Sequence, residues 1–289
     1  MMRDEDPDFS IDNLGGDGTF DNLILDHDRG IRTALQMWND DRDAAKARYG
    51  PIASWDTSEI TIMYELFQAR EGFNEDISRW NVSNVGRMDS MFRGATSFNS
   101  DLSSWNVGQV EDMRHMFEGA TSFNSDLSSW NVGQVKDMNH MFNGATSFNG
   151  DLSSWNVGQV EDMRYMFFDV TSFNSDLSSW NVGQVEDMNH MFSGANSFNG
   201  DLSSWNVGQV QRMGSMFMLA TSFNSDLSSW NVGQVEDMYR MFAGANSFNR
   251  QLVGAWPTSL CNKHYMFYNS PGTIAGRTKT TNGTILNDQ

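Results

Sequence analysis

The ten residues Asp101–Val110, DLSSWNVGQV, return letter for letter at 126, 151, 176, 201 and 226, always 25 residues on. The same spacing holds tryptophans at 55, 80, 105, 130, 155, 180, 205 and 230, and phenylalanines from Phe73 to Phe248. Methionines follow it from Met63 to Met238. A fixed period of this size is the mark of a solenoid: one unit cannot bury its own apolar side chains, and stacked units can.

Within one unit, Leu102, Trp105, Val107 and Val110 are apolar, while Ser104 and Asn106 alternate with Trp105 and Val107, a strand period. Val110, Met113, Met116 and Phe117 then give the stripe of a short helix or 3-10 segment, and Gly119 reads as its stop. The expected fold is an α/β repeat solenoid, with one short parallel strand plus one short helix or 3-10 segment per 25-residue coil, and an N-terminal helical cap. The Trp, Phe and Met columns read as core rather than as a stacking strip for a ligand.

The pattern F-N-x-D-[IL]-S-x-W-x-V-x-x-V-x-x-M-x-x-M-F, running from about Ile52 to Phe267, resembles the BspA-like leucine-rich repeat surface proteins in their 25-residue, Met-rich variety. The resemblance implies a leucine-rich-repeat-like fold and a surface, adhesive or binding role, extracellular or at the cell surface. Most leucine-rich repeats carry asparagine where Val110 stands, so their asparagine ladder needs a substitute. Asn99, Asp101 and their equivalents are the candidates for capping backbone groups in the turn.

Residues 1–23 read as an acidic flexible arm and 24–51 as the helical cap, with Ile31, Leu35 and Trp38 on one face and Gly50-Pro51 as stop. Residues 52–249 are the solenoid. In 250–268 the pattern degrades: Trp256 is one place late, Pro257 follows it, and Lys263 replaces a core methionine. This reads as an atypical capping coil, and 269–289 as a polar tail.

The net charge of −18 argues against nucleic acid and anionic membrane surfaces as partners. No apolar run is long enough for membrane insertion, and the stretch MMRDEDPDF is unlike a secretory signal. Cys261 is the single cysteine, so no intrachain disulfide forms. No nucleophile, metalloprotease or nucleotide-binding signature is present, and a chain that repeats like groups does not bring unlike catalytic groups together. The expectation is a non-enzyme with no cofactor.

Glu111-Asp112 recurs at 161, 186 and 236. It reads as anions at a helix N-terminus, with weak divalent cation binding as the alternative. His115, His140 and His190 share a column that Tyr165 interrupts, and read as surface histidines rather than metal ligands. Two candidate surfaces remain. One is a ladder on the strand face: Ser104, Asn106, Ser129, Asn131, Ser154, Asn156, Ser179, Asn181, Ser204, Asn206, Ser229 and Asn231. The other is a patch where the repeat breaks, on the helical side: Tyr165, Phe168, Met218, Leu219 and Tyr239. The functional expectation is binding or adhesion to a protein or glycan, or self-association. The alternatives are ice or mineral binding by the regular Ser/Asn ladder, and a structural spacer or assembly module.

Overall fold

The computed structural model describes residues 27–286. Helices His27–Asp40 (α1) and Arg42–Tyr49 (α2) come first, followed by a single 3-10 turn at Ile52–Ser54. From there the chain winds as a solenoid whose coils carry isolated parallel bridges at 62, 87, 112, 137, 162, 187, 212, 237 and 262. Two short parallel strands, Gln251–Leu252 (β1) and Thr273–Ile274 (β2), close it.

The coils are not strand plus helix. The apolar spacing of three that suggested a helix is equally the spacing of a β-turn, whose first and fourth residues are joined by a hydrogen bond. The N–H of Trp105 donates to Leu102 O (3.1 Å), Val110 to Val107 (3.0 Å), Met116 to Met113 (3.2 Å), Ala120 to Phe117 (3.0 Å) and Phe123 to Ala120 (3.0 Å). All these corner residues are buried, and the residues between them face outward. A coil is thus a polygon of turns with apolar corners.

The predicted helix and strand have in effect exchanged roles. In the supposed helix, the N–H groups of Met113, His115, Phe117 and Gly119 donate to the carbonyls of Asp137, Asn139, Met141 and Asn143 in the next coil, at 2.7–3.2 Å. This is the parallel ladder. It needs left-handed backbone at two points, His115 (φ +57°) and Gly119 (φ +68°), which no helix tolerates. In the supposed strand, Leu102–Val110, the backbone makes only its own two turns, and side chains supply the bonds between coils. Ser129 Oγ donates to Ser103 O (2.6 Å), and Trp130 Nε1 donates to Leu102 O (3.0 Å). Asp126 Oδ1 accepts the Ser128 N–H, and Asn131 Oδ1 accepts the Gly133 N–H. A Cβ at Gly133 would stand 3.2 Å from that Asn131 oxygen, which favours glycine there.

A true asparagine ladder runs at another corner. Asn99 Oδ1 accepts the Asn124 N–H, Asn124 accepts from Asn149, and Asn149 from Asn174, each at 2.8 Å. Asp101 Oδ1 closes its own turn on the Ser103 N–H.

Inside the polygon three aromatic columns run the length of the solenoid. Trp130, Trp155 and Trp180 stack with centroids 6.5 Å apart and planes within 1°. Phe117 stacks on Phe123 of its own coil at 3.9 Å and on Phe142 of the next at 5.6 Å.

Both ends are closed. Ile31, Leu35 and Trp38 of α1 are buried, and Trp38 meets the first-coil Trp55 edge-on at 5.8 Å. Asp28 accepts from the N–H groups of Thr61 and Ile62 (both 2.9 Å), standing in for the coil that is missing below. The expected acidic arm, 1–23, lies outside the described residues. At the far end the expected polar tail is in fact folded. Ile274 and Ile285 are buried, Gly283 O accepts the Phe267 N–H (2.9 Å), and Thr284 Oγ1 accepts the Tyr265 N–H (3.0 Å). Residues 269–286 therefore terminate the ladder, because the last coil's donors need acceptors. Trp256 is buried in register with Trp230 (6.4 Å), and Lys263 is buried with its Nζ donating to Ser259 O.

The two kinds of position in the repeated decapeptide should respond differently. Trp155→Ala is expected to cost about 3–5 kcal/mol from the cavity and the lost burial. Ser154→Ala should cost about 1 kcal/mol, since it leaves Ser128 O without its donor. Gln159→Ala, an exposed turn position, should stay within about 0.5 kcal/mol. Urea unfolding of the three variants checks the order, and equal losses would contradict the polygon of turns.

Candidate functional site

In the ladder segment backbone bonds join each coil to the next, so most outward side chains are released from that task; Asn189, whose Oδ1 accepts the Gly214 N–H (2.6 Å), is an exception. The outward side chains are also the ones that differ. In the frame M-x-x-M-F-x-x the outward residues are R, H, E, G from Arg114, then N, H, N, G from Asn139, R, Y, F, D from Arg164 and N, H, S, G from Asn189. The next two coils give G, S, M, L from Gly214 and Y, R, A, G from Tyr239. All five residues of the repeat-break patch stand in this segment. There is no helical side for them to occupy, so the expected location is corrected to the face of the hydrogen-bonded ladder.

Their geometry gives two clusters. Tyr165 is half-buried and stacked between His140 (4.5 Å, 14°) and His190 (4.6 Å, 9°), and His115 extends the column (4.6 Å to His140). Phe168 packs against Tyr165 at 5.6 Å and edge-on to His190 at 6.1 Å. Met218 and Leu219 instead line a cleft with Arg240, Ala243, Gly244, Tyr268 and Asn269. Tyr239 stands beside it, its ring under the Arg240 guanidinium at 5.1 Å. The sequence reading missed Arg240, Tyr265 and Tyr268. Arg240 stands in a column of mixed residues with no break to mark it, and the two tyrosines lie where the repeat pattern fades.

Leu219 is unusual twice over. It is 52% exposed, and it holds φ +61° at a position that is glycine in the coils at Gly94, Gly119, Gly144, Gly194 and Gly244. A branched side chain in that conformation costs about 1 kcal/mol or more. Asp169 (φ +54°) is another substitution in the glycine column, and Ala69 (φ +57°) and Asn269 (φ +52°) stand in it at its two ends.

The Ser/Asn columns stay outward, on turns rather than on a strand, and they are occupied. Each serine hydroxyl from Ser104 to Ser229 donates to a carbonyl of the preceding coil at 2.6–2.7 Å. Each asparagine oxygen from Asn106 to Asn231 accepts a glycine N–H of its own turn.

The aspartates at 112, 137, 162 and 187 are the bridge residues of the ladder, not helix N-termini. Each accepts the N–H two residues on. Burial pushes the Asp162 carboxyl up to about 6, with Asp137 and Asp187 adding to it, and the ion pair with Arg164 (2.9 Å) does not offset this. Burial likewise lowers His140 to about 4, helped by His115 and against the pull of Glu118. His115 Nδ1 lies 2.7 Å from Glu118 Oε2, which also pairs with Arg93 (2.8 Å). Among the described residues no group of three or more acidic, histidine or cysteine side chains is arranged to hold a metal ion.

These shifts give opposite pH slopes. Between about pH 4 and 6 the folded chain keeps a proton on Asp162 that the unfolded chain has lost; that contribution is present at low pH and lost as pH rises through about 6. Between 6.5 and about 4 the unfolded chain takes up a proton that folded His140 refuses, so its contribution is present above 6.5 and lost as pH falls. Asp162→Asn should therefore steepen the loss of stability on acidification from about pH 7 to about pH 4, and His140→Asn should reduce it. Urea midpoints at the two pH values check both signs. Phe168→Ser with Met218→Ala, both half-buried, should cost at most about 2 kcal/mol together. A loss as large as that of a core tryptophan would mean that these side chains point inward. Leu219→Gly should leave stability unchanged or raise it by up to about 1 kcal/mol, as calorimetry will read.

No curated protein matches the chain. Among solved structures, a crystal structure of a TLR13–ssRNA13 complex aligns over 65% of this chain at 13% identity and a TM-score of 0.23, too low to carry an argument. The aligned region spans 37% of that structure's chain. The model of one family matches at residues 35–150, 125–214 and 176–275, so overlapping matches run through nearly all of the solenoid. The chain belongs to that family, described as Mycoplasma protein of unknown function, DUF285.

Proposed function

We propose that this chain is a non-enzymatic binding module of the leucine-rich-repeat type, a BspA-like surface protein that recognises a protein partner through its ladder face. One observation carries the reading: differences between coils gather on the face where a backbone ladder, rather than a repeated set of side chains, holds the coils together. A repeat protein that binds requires such a face, rigid in backbone and free in side chain. The aromatic group His140, Tyr165, Phe168 and His190 supplies ring surface of the kind that anchors interfaces. An extracellular or cell-surface location goes with this role. Among the described residues no helix is long and apolar enough to cross a membrane. The Ser/Asn columns are the weaker candidate, for a glycan, ice or a mineral, because their hydroxyl donors and amide oxygens are already engaged within the coils. Both ends of the ladder carry caps, which counts against growth by end-to-end stacking.

The test is a panel of extracellular proteins and glycans probed with the wild type and two double variants. Tyr165→Ser with Phe168→Ser is expected to abolish binding to the protein partner, and Ser154→Ala with Asn156→Ala to preserve it. A ligand kept by the first variant and lost by the second would overturn the reading, and so would inhibition of ice growth by the wild type.

A further inference from the structure

The C-terminal end of the ladder face differs in kind from the rest. Of the six tyrosines in the chain, Tyr239, Tyr265 and Tyr268 gather here. Tyr265 meets Tyr239 edge-on at 6.1 Å and Tyr268 edge-on at 6.3 Å. The exposed Arg240 guanidinium lies over Tyr239 and Tyr265, at 5.1 and 5.7 Å, and makes no ion pair among the described residues. Elsewhere on this face the arginines are paired: Arg93 with Glu118, Arg114 with Asp112, Arg164 with Asp162, Arg212 with Asp187. The ladder aspartate three residues before Arg240, Asp237, is engaged elsewhere, accepting the Tyr239 N–H of its own turn and the Asn262 amide of the next coil.

Beside this free cation the cleft floor is apolar. Leu219 and Met218 come from one coil, Ala243 and Gly244 from the next, and the half-exposed Tyr268 from the cap. Leu219 lies across Gly244, where any Cβ would stand 2.7 Å from its Cδ2. A glycine at 244 is therefore part of what lets the strained Leu219 lie as it does. Strain at an exposed apolar side chain, a neighbour too small to obstruct it and an unpaired guanidinium held on two rings are three separate features, and they meet in one place.

Resting on the ladder-face reading above, we infer that this cleft is a second anchor for the partner on that face, and that it takes a peptide segment in which an aliphatic side chain sits next to a carboxylate. The aliphatic group covers Leu219, Met218 and Tyr268, and the carboxylate pairs with Arg240. Charge selects the partner: Arg93, Arg114, Arg164 and Arg212 on this face are answered by carboxylates and Arg240 is not, and a guanidinium resting on aromatic rings loses little freedom when a carboxylate joins it. A basic segment would be drawn to the acidic surface elsewhere and repelled here. A neutral sugar would find the Tyr239 and Tyr265 rings already covered by Arg240.

The experiment uses capped pentapeptides alternating leucine with glutamate, matched series with glutamine or lysine in place of glutamate, and cellotetraose as the neutral sugar. Binding is read from the methyl NMR signals of Met218 and Leu219 in the full chain. The expected result is that the glutamate series shifts both signals and the lysine series does not. Arg240→Gln should weaken the glutamate series about fivefold and abolish its advantage over glutamine. Leu219→Gly should weaken the glutamate and glutamine series alike while the unfolding midpoint holds or rises. Equal binding of the three series, an unchanged affinity in Arg240→Gln, or shifts with cellotetraose alone would overturn the inference. Shifts confined to residues around Phe168 would also overturn it, while leaving the ladder-face reading intact. Silence across the whole ladder face, together with an undiminished partner in the Tyr165 and Phe168 double variant, would remove both.

Discussion

A coil of 25 residues that stacks on identical coils must find a partner in the coil above or below for every peptide group that its own turns leave open. The chain meets this demand in two ways within one coil. Along Glu111–Gly119 the backbone bonds directly to its neighbours. Along Asp101–Val110 it does not, and serine, tryptophan, asparagine and aspartate side chains close the gaps. This division explains why one half of the repeat is written identically and the other is not. In the first half most letters hold a bond or a core corner. In the second, the corners Met113, Met116 and Phe117 are fixed and the residues between them are free.

The period and the core columns were legible in the sequence, because a constant spacing decides by itself which residue stacks on which. The two short elements were not. Leu102, Trp105, Val107, Val110, Met113 and Met116 are separated by threes and a two, and that series suits a strand, a 3-10 segment or successive turns. What distinguishes them is the sign of φ at His115 and at Gly119. The recurrent glycine was visible, but a glycine at the end of an apolar stripe is also what a helix stop looks like. Nothing about histidine or tyrosine announces a left-handed backbone four residues earlier. The C-terminal segment misled through composition: GTIAGRTKTTNGTIL reads as polar, while its two isoleucines are buried and its Gly283 and Thr284 oxygens serve the last coil. Of the candidate site, the break residues were visible as departures from the repeat. Their division into two clusters was not, since Tyr265 and Tyr268 belong to a region where the pattern has lapsed.

The ends obey the same accounting as the middle. Asp28, on α1, offers one carboxylate oxygen to two edge N–H groups, and Trp38 covers the exposed Trp55 ring. At the other end, Gly283, Thr284 and the Lys279–Ile285 bridge turn the chain against its own direction. The segment 283–285 meets the last coil in the antiparallel sense, so the 25-residue parallel register is not carried past it.

Electrostatics then gives the ladder face a direction. Burial disfavours a charged carboxylate and like charges on successive rungs add to the cost, which is why Asp162, flanked by Asp137 and Asp187, holds its proton up to about 6. The column is sustained because each carboxylate accepts the N–H of its own turn and arginines are set among the aspartates, as with Arg164 on Asp162. The arginine at 212 ends the unbroken run by pairing back onto Asp187 (3.3 Å). In that same coil the outward residues change from the histidines and amides of the preceding rungs to Gly214, Ser215, Met218 and Leu219. Beyond it the next arginine, Arg240, has no carboxylate to answer and lies on tyrosine rings instead. The face therefore runs from internally paired charge to an apolar surface with one unpaired cation. The change falls where a basic residue ends the aspartate run that began at Asp112, so the charge pattern that keeps a long ladder stable also sets where an anionic, partly apolar partner of the kind proposed would find the least competition.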